Sequence, residues 1–296
     1  MDLKPIACLL MAAGCLSSQG LKSEWNVRDH IPLQAFTVQS HRGAGALSPE
    51  NSVEAFEIAW TLGTVPEADL RITKDGVIVA FHDNDFKRIL PNASVEIKSK
   101  GVADLSWEEV RRLDIGSWKG AEFAGQRIPR MTDVYRILDK HPERRLYIDI
   151  KNVDLNQLAR ESRRVHKQLI LASTDYSVIR RWMELAPSSA TLHWMGGTEE
   201  QLGARLKKLE ETNFKSITQL QIHVRSTADG ITPSERFLLR TGDALRTRGI
   251  LFQVLPWESR DPEFYHKLMD LGVASFATDY PDVLMNAVGE YYKRGR

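Results

Sequence analysis

The strongest constraint on the fold is a regular alternation of two kinds of segment from Phe36 onward. Short apolar runs of strand character are each followed by a segment whose apolar residues recur at spacings of three and four, the spacing of an amphipathic helix. The predicted strands are Phe36–Ser40, Ala68–Ile72, Arg145–Ile150, Leu169–Ser173, Thr191–Met195, Leu220–Val224, Ile250–Leu255 and Ser275–Thr278. The predicted helices are Val53–Leu62, Met131–Leu138, Leu155–Val165, Tyr176–Leu185, Glu199–Glu211, Ser234–Arg248, Pro262–Leu271 and Pro281–Tyr292. We expect Asn51, with Glu54 three residues later, to cap the first of these helices.

Strands that are each followed in order by a helix favour a closed (β/α)8 TIM barrel in one α/β domain, residues 36–296. The structural alternative is a doubly wound open sheet, which needs a reversal of strand order that the pattern does not reveal. Segment 77–130 is too long for a loop between a strand and its helix. It contains the strand-like run VIVAFH and the polar helix SWEEVRRL. We therefore expect a small insertion on the barrel rim after the second strand.

The N-terminus has a composition of its own. One lysine, a short apolar run and then small residues are typical of a secretory signal peptide. Residues 10–15, LMAAGC, resemble a bacterial lipobox, and both cysteines of the chain, Cys8 and Cys15, lie in this leader. We expect residues 1–14 to be a lipoprotein signal peptide, Cys15 to carry the lipid and residues 15–35 to be a tether. The alternative is a plain signal peptide cut near Ser18.

This leader predicts an exported protein, periplasmic or on the cell surface, with peripheral membrane attachment through a lipid anchor. No run of about 18 or more apolar residues is present, so the sequence predicts no permanent membrane span. The chain carries 40 basic and 39 acidic residues, a formal net charge of +1. This balance argues against a nucleic-acid partner, and any recognition of anions must therefore be local.

Several carboxylates fall near strand ends, where TIM barrels place their working residues. Glu67 and Asp69 are two apart and share one face of an extended chain, and Asp149 ends the next predicted strand. Such a group is costly unless a cation neutralises it. Three carboxylates form an oxygen site that suits Mg²⁺ or Ca²⁺ better than zinc. The alternative is that Glu67 pairs with a nearby lysine or arginine on the rim.

Two histidines, His41 and His82, also end strand-like runs, and each stands beside a charged residue. Histidine titrates near neutrality, so one can act as a base and the other as an acid. Arg42 and Lys151 could hold an anion, while the alternatives are structural histidines and exposed rim charges. A divalent cation, two histidines and two cationic side chains at one rim would describe a phosphoryl-transfer site.

The order of the motifs resembles that of the glycerophosphodiester phosphodiesterase family from about His41 to Leu284. HRG stands at 41–43, PEN at 49–51 with AF on the following helix, ExDxxxTKDG at 67–76 and HD at 82–83. GVADLSWEEVRRLDIG at 101–116 is similar to the rim insertion of the family, and TDYPDVL at 278–284 to its closing strand and helix.

The resemblance implies a role for each matching residue. His41 and His82 would be the general acid and base, Glu67 and Asp69 metal ligands, and Arg42 a phosphate contact. The third metal ligand of the family is the glutamate of an EIK motif. This chain has IDIK at that place, so the shorter Asp149 would be the ligand. Lys151 matches the lysine of the motif and would contact phosphate. The PEN glutamate, Glu50, would orient the site. The family commonly has WTVN late in the chain, and Trp257 of QVLPWES is the candidate for that substrate contact.

The function implied is metal-dependent hydrolysis of a small phosphodiester, a glycerophosphodiester, to an alcohol and glycerol 3-phosphate. The cofactor would be one divalent cation, Mg²⁺ or Ca²⁺. One alternative is a lysophospholipid or sphingolipid phosphodiesterase on the same barrel. Another is a surface protein that binds phosphorylated polyols without turnover. The sequence leaves the alcohol released, the preferred metal and the oligomeric state open.

Overall fold

A computed structural model describes residues 21–228 and 230–294. The sheet contains ten strands, numbered in chain order. They are β1 Thr37–Ser40, β2 Val65–Ile72, β3 Ile78–Ala80, β4 Leu146–Ile150, β5 Leu169–Ser173, β6 Ala190–Met195, β7 Gln219–Thr227, β8 Gly230–Thr232, β9 Leu251–Pro256 and β10 Ser275–Thr278.

Eight of these strands are parallel and close into a barrel in the order β1, β2, β4, β5, β6, β7, β9, β10 and back to β1. The closing pairs join Val38 to Phe276 and Ser40 to Pro66. The other two strands are antiparallel additions at the rim, β3 on β2 and β8 on β7. The prediction of a (β/α)8 TIM barrel is therefore confirmed.

The helices connect the strands and cover the outside of the barrel. They are α1 Val27–His30, α2 Val53–Thr61, α3 Val95–Lys98, α4 Trp107–Val110, α5 Met131–Lys140, α6 Leu155–Glu161, α7 Tyr176–Leu185, α8 Glu199–Glu211, α9 Glu235–Arg246, α10 Pro262–Asp270 and α11 Pro281–Lys293. In the described residues, no helix has the length and apolar character that a membrane span requires. All eight helices predicted from periodicity are present.

Several boundaries differ from the sequence predictions by a few residues, and two differences concern residues of the site. Strand β2 begins at Val65 rather than Ala68, so Glu67 lies inside the strand and not before it. The pattern hid this start because Pro66 and Glu67 interrupt the apolar run. Asn51 was expected to cap α2, but the cap is Ser52, whose hydroxyl accepts a hydrogen bond from the backbone N–H of Ala55 at 3.1 Å.

A layer of buried polar side chains fills the middle of the barrel. Gln253 donates to the Ser275 hydroxyl at 2.9 Å and to the Tyr147 hydroxyl at 3.2 Å, and Gln221 donates to Gln253 and Gln39. Buried polar groups are stable when they pair in this way. The next inward-facing residue of each strand, two positions further along, opens into the mouth of the barrel. The polar layer therefore forms the floor of the cavity described below.

Segment 77–130 forms the predicted rim insertion after β2, with a small apolar core of its own. That core consists of Val79, Phe81, Phe86, Ile89, Val102, Leu105, Val110, Ile115 and Ile128. Lys119 of this segment reaches the loop after β1, where its ammonium donates to the carbonyls of Ser48 at 2.6 Å and Gly45 at 3.3 Å. The insertion thus holds that loop in place over the barrel mouth.

The described part of the predicted tether, residues 21–35, is packed against the barrel. Val27 is fully buried, and the Ser23 amide donates to the carbonyl of Asp270 at 2.8 Å. The Arg246 guanidinium lies 4.8 Å from the centre of the Trp25 ring. Asp270 and Arg246 are the last residues of α10 and α9, so this contact is on the face opposite to the carboxyl ends of the strands. The predicted signal peptide and Cys15 lie outside the described residues.

Candidate active site

The carboxyl ends of the strands enclose one cavity of about 140 Å³. Its lining combines acidic residues on one side with aromatic residues on the other. The predicted site residues that line it are His41, Arg42, Glu67, Asp69, His82, Asp149, Lys151 and Trp257. Glu50 lines an adjoining pocket together with His41, Arg42 and Trp257. The fold therefore brings all nine predicted residues to one place, although they span more than 200 positions of the chain.

The acidic side consists of Glu67 and Asp69 from β2 and Asp149 from the neighbouring β4. One oxygen from each lies within 4.8 Å of the others, and all three residues are at most 6% exposed. The Lys151 ammonium donates to Asp149 at 2.7 Å and lies 3.0 Å from Asp69 Oδ1 without the alignment of a hydrogen bond. Asp69 Oδ1 has no hydrogen-bond partner among the described residues. Three buried oxygens with one left unsatisfied fit a divalent cation.

The pKa shifts of Asp69 and Asp149 also favour a bound cation. Burial raises the pKa of Asp149 to about 7, with Glu67 and Asp69 adding to the rise against the opposing effect of Lys151. Burial also acts to raise the pKa of Asp69, but Lys151, His82 and the Asn51 amide outweigh it and lower that pKa. One lysine therefore does not neutralise the cluster. A bound cation would relieve the remaining repulsion and allow all three groups to ionise.

A second acidic cluster, formed by Glu50, Asp83 and His82, also has its ligand atoms within 4.8 Å of one another. The guanidinium of Arg88 occupies it, with hydrogen bonds of 2.7 Å to each oxygen of Glu50 and of 2.8 and 3.0 Å to Asp83. Its negative charge is thus already neutralised by protein groups. The three carboxylates of β2 and β4 are the better metal site.

His41, at the end of β1, is oriented by Asp279, which follows β10. Its Nδ1 lies 2.6 Å from Asp279 Oδ1, and its Nε2 makes no hydrogen bond within the described residues. Burial lowers the pKa of His41, but the carboxylates of Glu67 and Asp279 outweigh that effect and raise it to about 9. His41 is therefore a cationic imidazole with one nitrogen available to a ligand.

His82 follows β3 and has a different arrangement. Its Nδ1 lies 2.7 Å from Asp83 Oδ1, and its Nε2 lies 3.0 Å from Arg42 Nη2. Because a guanidinium only donates, Nε2 must accept and the proton must be on Nδ1. His82 Nε2 therefore accepts this hydrogen bond, and its lone pair points at the Arg42 guanidinium.

Arg42 lies between these groups in a backbone conformation with φ of 52°, which is unusual for a residue with a side chain. Its backbone N–H donates to Glu67 at 3.3 Å, and its Nη1 lies 3.3 Å from both oxygens of Glu50. Its Nε is buried without a partner among the described residues. Long bonds and an unpaired donor leave the guanidinium able to turn to an oxyanion.

The loop that carries Arg42 requires glycine for close packing. A Cβ atom on Gly45 would lie 2.1 Å from the carbonyl oxygen of Asp279, and one on Gly43 would lie 2.7 Å from the Cβ of Ala55. Both glycines also have positive φ. The close approach to Asp279 is what brings that carboxylate to His41.

Several residues of the site were not identified from the sequence. Asn51, expected only as a helix cap, is fully buried and bonds Asp69 twice, donating from Nδ2 at 2.8 Å and accepting from the Asp69 backbone N–H at 2.9 Å. Asp279 was matched only as part of the closing segment. Arg88 lies in the insertion and was not considered. Their contacts depend on loop conformation, for which the sequence gives no periodic signal.

The other side of the cavity is aromatic. Trp194 at the end of β6 stacks in parallel on His223 of β7, with ring centres 5.3 Å apart. Trp257, after β9, meets His223 edge-on at 5.4 Å and His41 edge-on at 6.3 Å. Trp257 therefore lies beside His41 at the cavity, and its role as a substrate contact stays a prediction.

The family model for the glycerophosphoryl diester phosphodiesterase family matches residues 41–283. The chain belongs to this family. The match contains every residue of the site described above, and the chain is accordingly a phosphodiester hydrolase.

The chain is similar to named proteins and to solved structures over most of its length. The chain is 26% identical over 254 residues to the glycerophosphodiester phosphodiesterase of Caldanaerobacter subterraneus, covering 85% of this chain and 97% of that protein. It is 26% identical over 271 residues to human lysophospholipase D GDPD1, covering 83% of each. Among solved structures, an Oleispira antarctica phosphodiesterase in complex with the product sn-glycerol-3-phosphate matches with a TM-score of 0.65 and 22% identity, over 89% of this chain and 99% of that one.

Arg88 offers a test of how the family site is positioned in this chain. We predict that Arg88→Met lowers kcat/KM for phosphodiester hydrolysis by about ten- to hundredfold, because Glu50 and Asp83 then no longer hold Arg42 and His82 in place. Steady-state kinetics with the purified protein measures this. The control is Arg112→Met in the same insertion, where the exposed guanidinium reaches only Glu108 at 3.8 Å. Equal kcat/KM values for Arg88→Met and Arg112→Met would contradict the positioning role of Arg88.

Proposed function

We propose that this phosphodiesterase hydrolyses glycerophosphodiesters to glycerol 3-phosphate and an alcohol, using His41 and His82 for proton transfer beside a divalent cation. One observation carries the proposal: two histidines, each oriented by its own aspartate, flank three buried carboxylates in a single cavity. A protein that only binds phosphorylated polyols would not need this complete set of acid, base and ligand groups.

The three carboxylates of Glu67, Asp69 and Asp149 would hold the cation, Mg²⁺ or Ca²⁺, which supplies neutralisation of charge developing on the phosphoryl oxygens. Arg42 adds to that neutralisation when it turns from Glu50 and His82 to the phosphoryl group. Lys151, which now pairs with Asp149, becomes free to contact phosphate when these carboxylates bind a cation instead.

The proton steps follow from the two imidazoles. His82 Nε2 accepts a hydrogen bond from Arg42, so it would take the proton from the nucleophile, either water or the neighbouring hydroxyl of the substrate, once Arg42 turns to the phosphoryl group. His41 is cationic, so its Nε2 gives a proton to the oxygen of the departing alcohol as the P–O bond breaks. Attack by the substrate hydroxyl would first form a cyclic phosphate, which water then opens in a second step.

The first test of the proposed function is turnover of glycerophosphodiesters, followed by coupled detection of glycerol 3-phosphate. We expect activity with Mg²⁺ or Ca²⁺, loss in excess EDTA, and recovery when the cation is restored. His41→Ala and His82→Ala should each lower kcat by about 10²- to 10⁴-fold, the usual contribution of a positioned acid or base. His141, which is half-exposed on the opposite face, provides the control variant His141→Ala. Full activity in EDTA or in both site variants would refute the proposal.

The assignment of His41 as the acid has a second test in its pH dependence. Asp279 raises the pKa of His41, so Asp279→Asn should lower that pKa. Because the protonated form is the acid, the alkaline limb of kcat/KM against pH should then move to lower pH. Asp139→Asn, distant from the cavity, is the control. An alkaline limb that stays in place in Asp279→Asn would exclude His41 as the acid.

A lysophospholipid or sphingolipid phosphodiesterase is the second candidate, since one relative is named lysophospholipase D. We favour water-soluble diesters because of where the N-terminal segment docks. Lys22 pairs with Asp270 at 3.1 Å on the face opposite to the cavity. A lipid on Cys15 would lie within about 25 Å of Lys22, the reach of seven residues. The protein would then be exported and anchored with its active site directed away from the membrane.

Two measurements separate these possibilities. Fractionation of cells that express the full chain should find it in the membrane, and Cys15→Ser should release it into the soluble exported fraction. Recovery of the unaltered protein in the cytoplasm would contradict this localisation. In the turnover assay, release of choline from lysophosphatidylcholine faster than from glycerophosphocholine would favour the second candidate.

A further inference from the structure

His223 is the one histidine of the cavity to which the mechanism assigns no role. Gln219, Gln221 and His223 alternate along β7, and the last of them reaches the cavity mouth. In the ring of eight strands, β7 is four strands from β2 in either direction. His223 therefore lies across the barrel from the carboxylates Glu67 and Asp69.

The ring of His223 is held in a fixed orientation. It stacks on Trp194 with 5° between the ring planes and meets Trp257 at 84°. Trp257 in turn contacts His41, the proposed acid. Since the departing alcohol must reach His41 to receive its proton, that alcohol lies on the His223 side of the cavity.

Neither ring nitrogen of His223 has a hydrogen-bond partner within the described residues. Except for His141, whose Nδ1 lies 3.4 Å from Glu143 Oε1, the other partly or fully buried histidines of that part of the chain each have at least one, from a carboxylate or a backbone carbonyl. Those residues are His41, His82, His166, His193 and His266. His223 is only partly buried and lines the cavity, and neither of its nitrogens is among the buried atoms left without a partner, so both are accessible from the cavity. A fixed, unpaired imidazole in a substrate cavity therefore suits a group on the substrate.

The charges around His223 restrict what that group can be. Burial, and to a lesser degree the nearby charges of His41, Arg225 and Arg205, together lower the pKa of His223 to about 4. The imidazole is thus neutral and can both donate and accept a hydrogen bond. The Arg225 guanidinium lies 5.4 Å from the centre of the Trp257 ring, on the same side. A hydroxyl group fits these surroundings, whereas a quaternary ammonium would meet cations and find no hydrogen bond.

We propose that His223 binds a hydroxyl group of the departing alcohol and that this side of the cavity selects polyol head groups, such as glycerol and inositol, over choline. The inference rests on the proposed hydrolysis of glycerophosphodiesters. His223 is a substrate-binding residue in this account and takes no part in proton transfer.

The test compares glycerophosphoinositol, glycerophosphoglycerol and glycerophosphocholine as substrates. The wild-type protein should prefer both polyol esters in kcat/KM. His223→Phe keeps a flat ring against Trp194 but removes the hydrogen bond, and it should reduce the polyol-to-choline ratio by about tenfold or more. His223→Gln, which retains a donor and an acceptor, should recover part of the ratio. His141→Phe on the opposite face is the control.

An equal loss of kcat/KM on all three substrates in His223→Phe would overturn the inference. It would mean that His223 contacts a part of the molecule that every substrate shares. Calorimetric titration makes the test independent of turnover. In the His82→Ala background, His223→Phe should weaken binding of glycerophosphoinositol by about tenfold and of glycerophosphocholine by much less. If the wild-type protein hydrolysed no glycerophosphodiester and this binding difference were still found, the proposed function would be refuted and the subsite would stand. Equal weakening for both ligands would refute the subsite alone.

Discussion

The site depends on one costly arrangement: three carboxylates buried within 4.8 Å of one another at the ends of two neighbouring strands. Their mutual repulsion and their burial both oppose ionisation, as the raised pKa of Asp149 shows. The surroundings offset this cost with donors. Asn51 bonds Asp69, the backbone of Arg42 bonds Glu67, and Lys151 bonds Asp149. These bonds fix the loop after β1 and the ends of β2 and β4 around a place for a cation.

The barrel separates this acidic side from the groups proposed to meet the departing alcohol. A polar layer of glutamine, serine and tyrosine side chains forms the floor, and strand alternation carries the side chains above it into the mouth. The proposed metal ligands come from β2 and β4, and the aromatic residues come from β6, β7 and the end of β9 on the far side. Phosphate recognition and recognition of the alcohol can therefore differ independently within one fold, as loops on TIM barrels generally allow.

Periodic features of the sequence predicted the barrel and the meeting of seven candidate site residues at its rim, while Glu50 and Trp257 came only from the resemblance to the family. Strand and helix periods give the order of elements, and the ends of parallel strands meet at one rim. The partners of those residues were not predictable in the same way. Asp279 lies 238 residues from His41, and Arg88 reaches Glu50 from an insertion with no regular period. The prediction that Asn51 caps α2 was wrong because Ser52 is an equally suitable cap. Only the folded structure shows that the Asn51 side chain bonds Asp69 instead.

The central claim is that these three carboxylates form a metal site, and calorimetric titration of metal-stripped protein with Ca²⁺ and Mg²⁺ tests it most directly. We predict one site per chain in the wild type, with affinity lowered by about tenfold or more in Asp69→Asn and Asp149→Asn, because each loses a charged ligand. Asp83→Asn, in the acidic cluster that Arg88 fills, should bind the cation as the wild type does. Absence of saturable binding, or wild-type affinity in Asp69→Asn, would contradict the account.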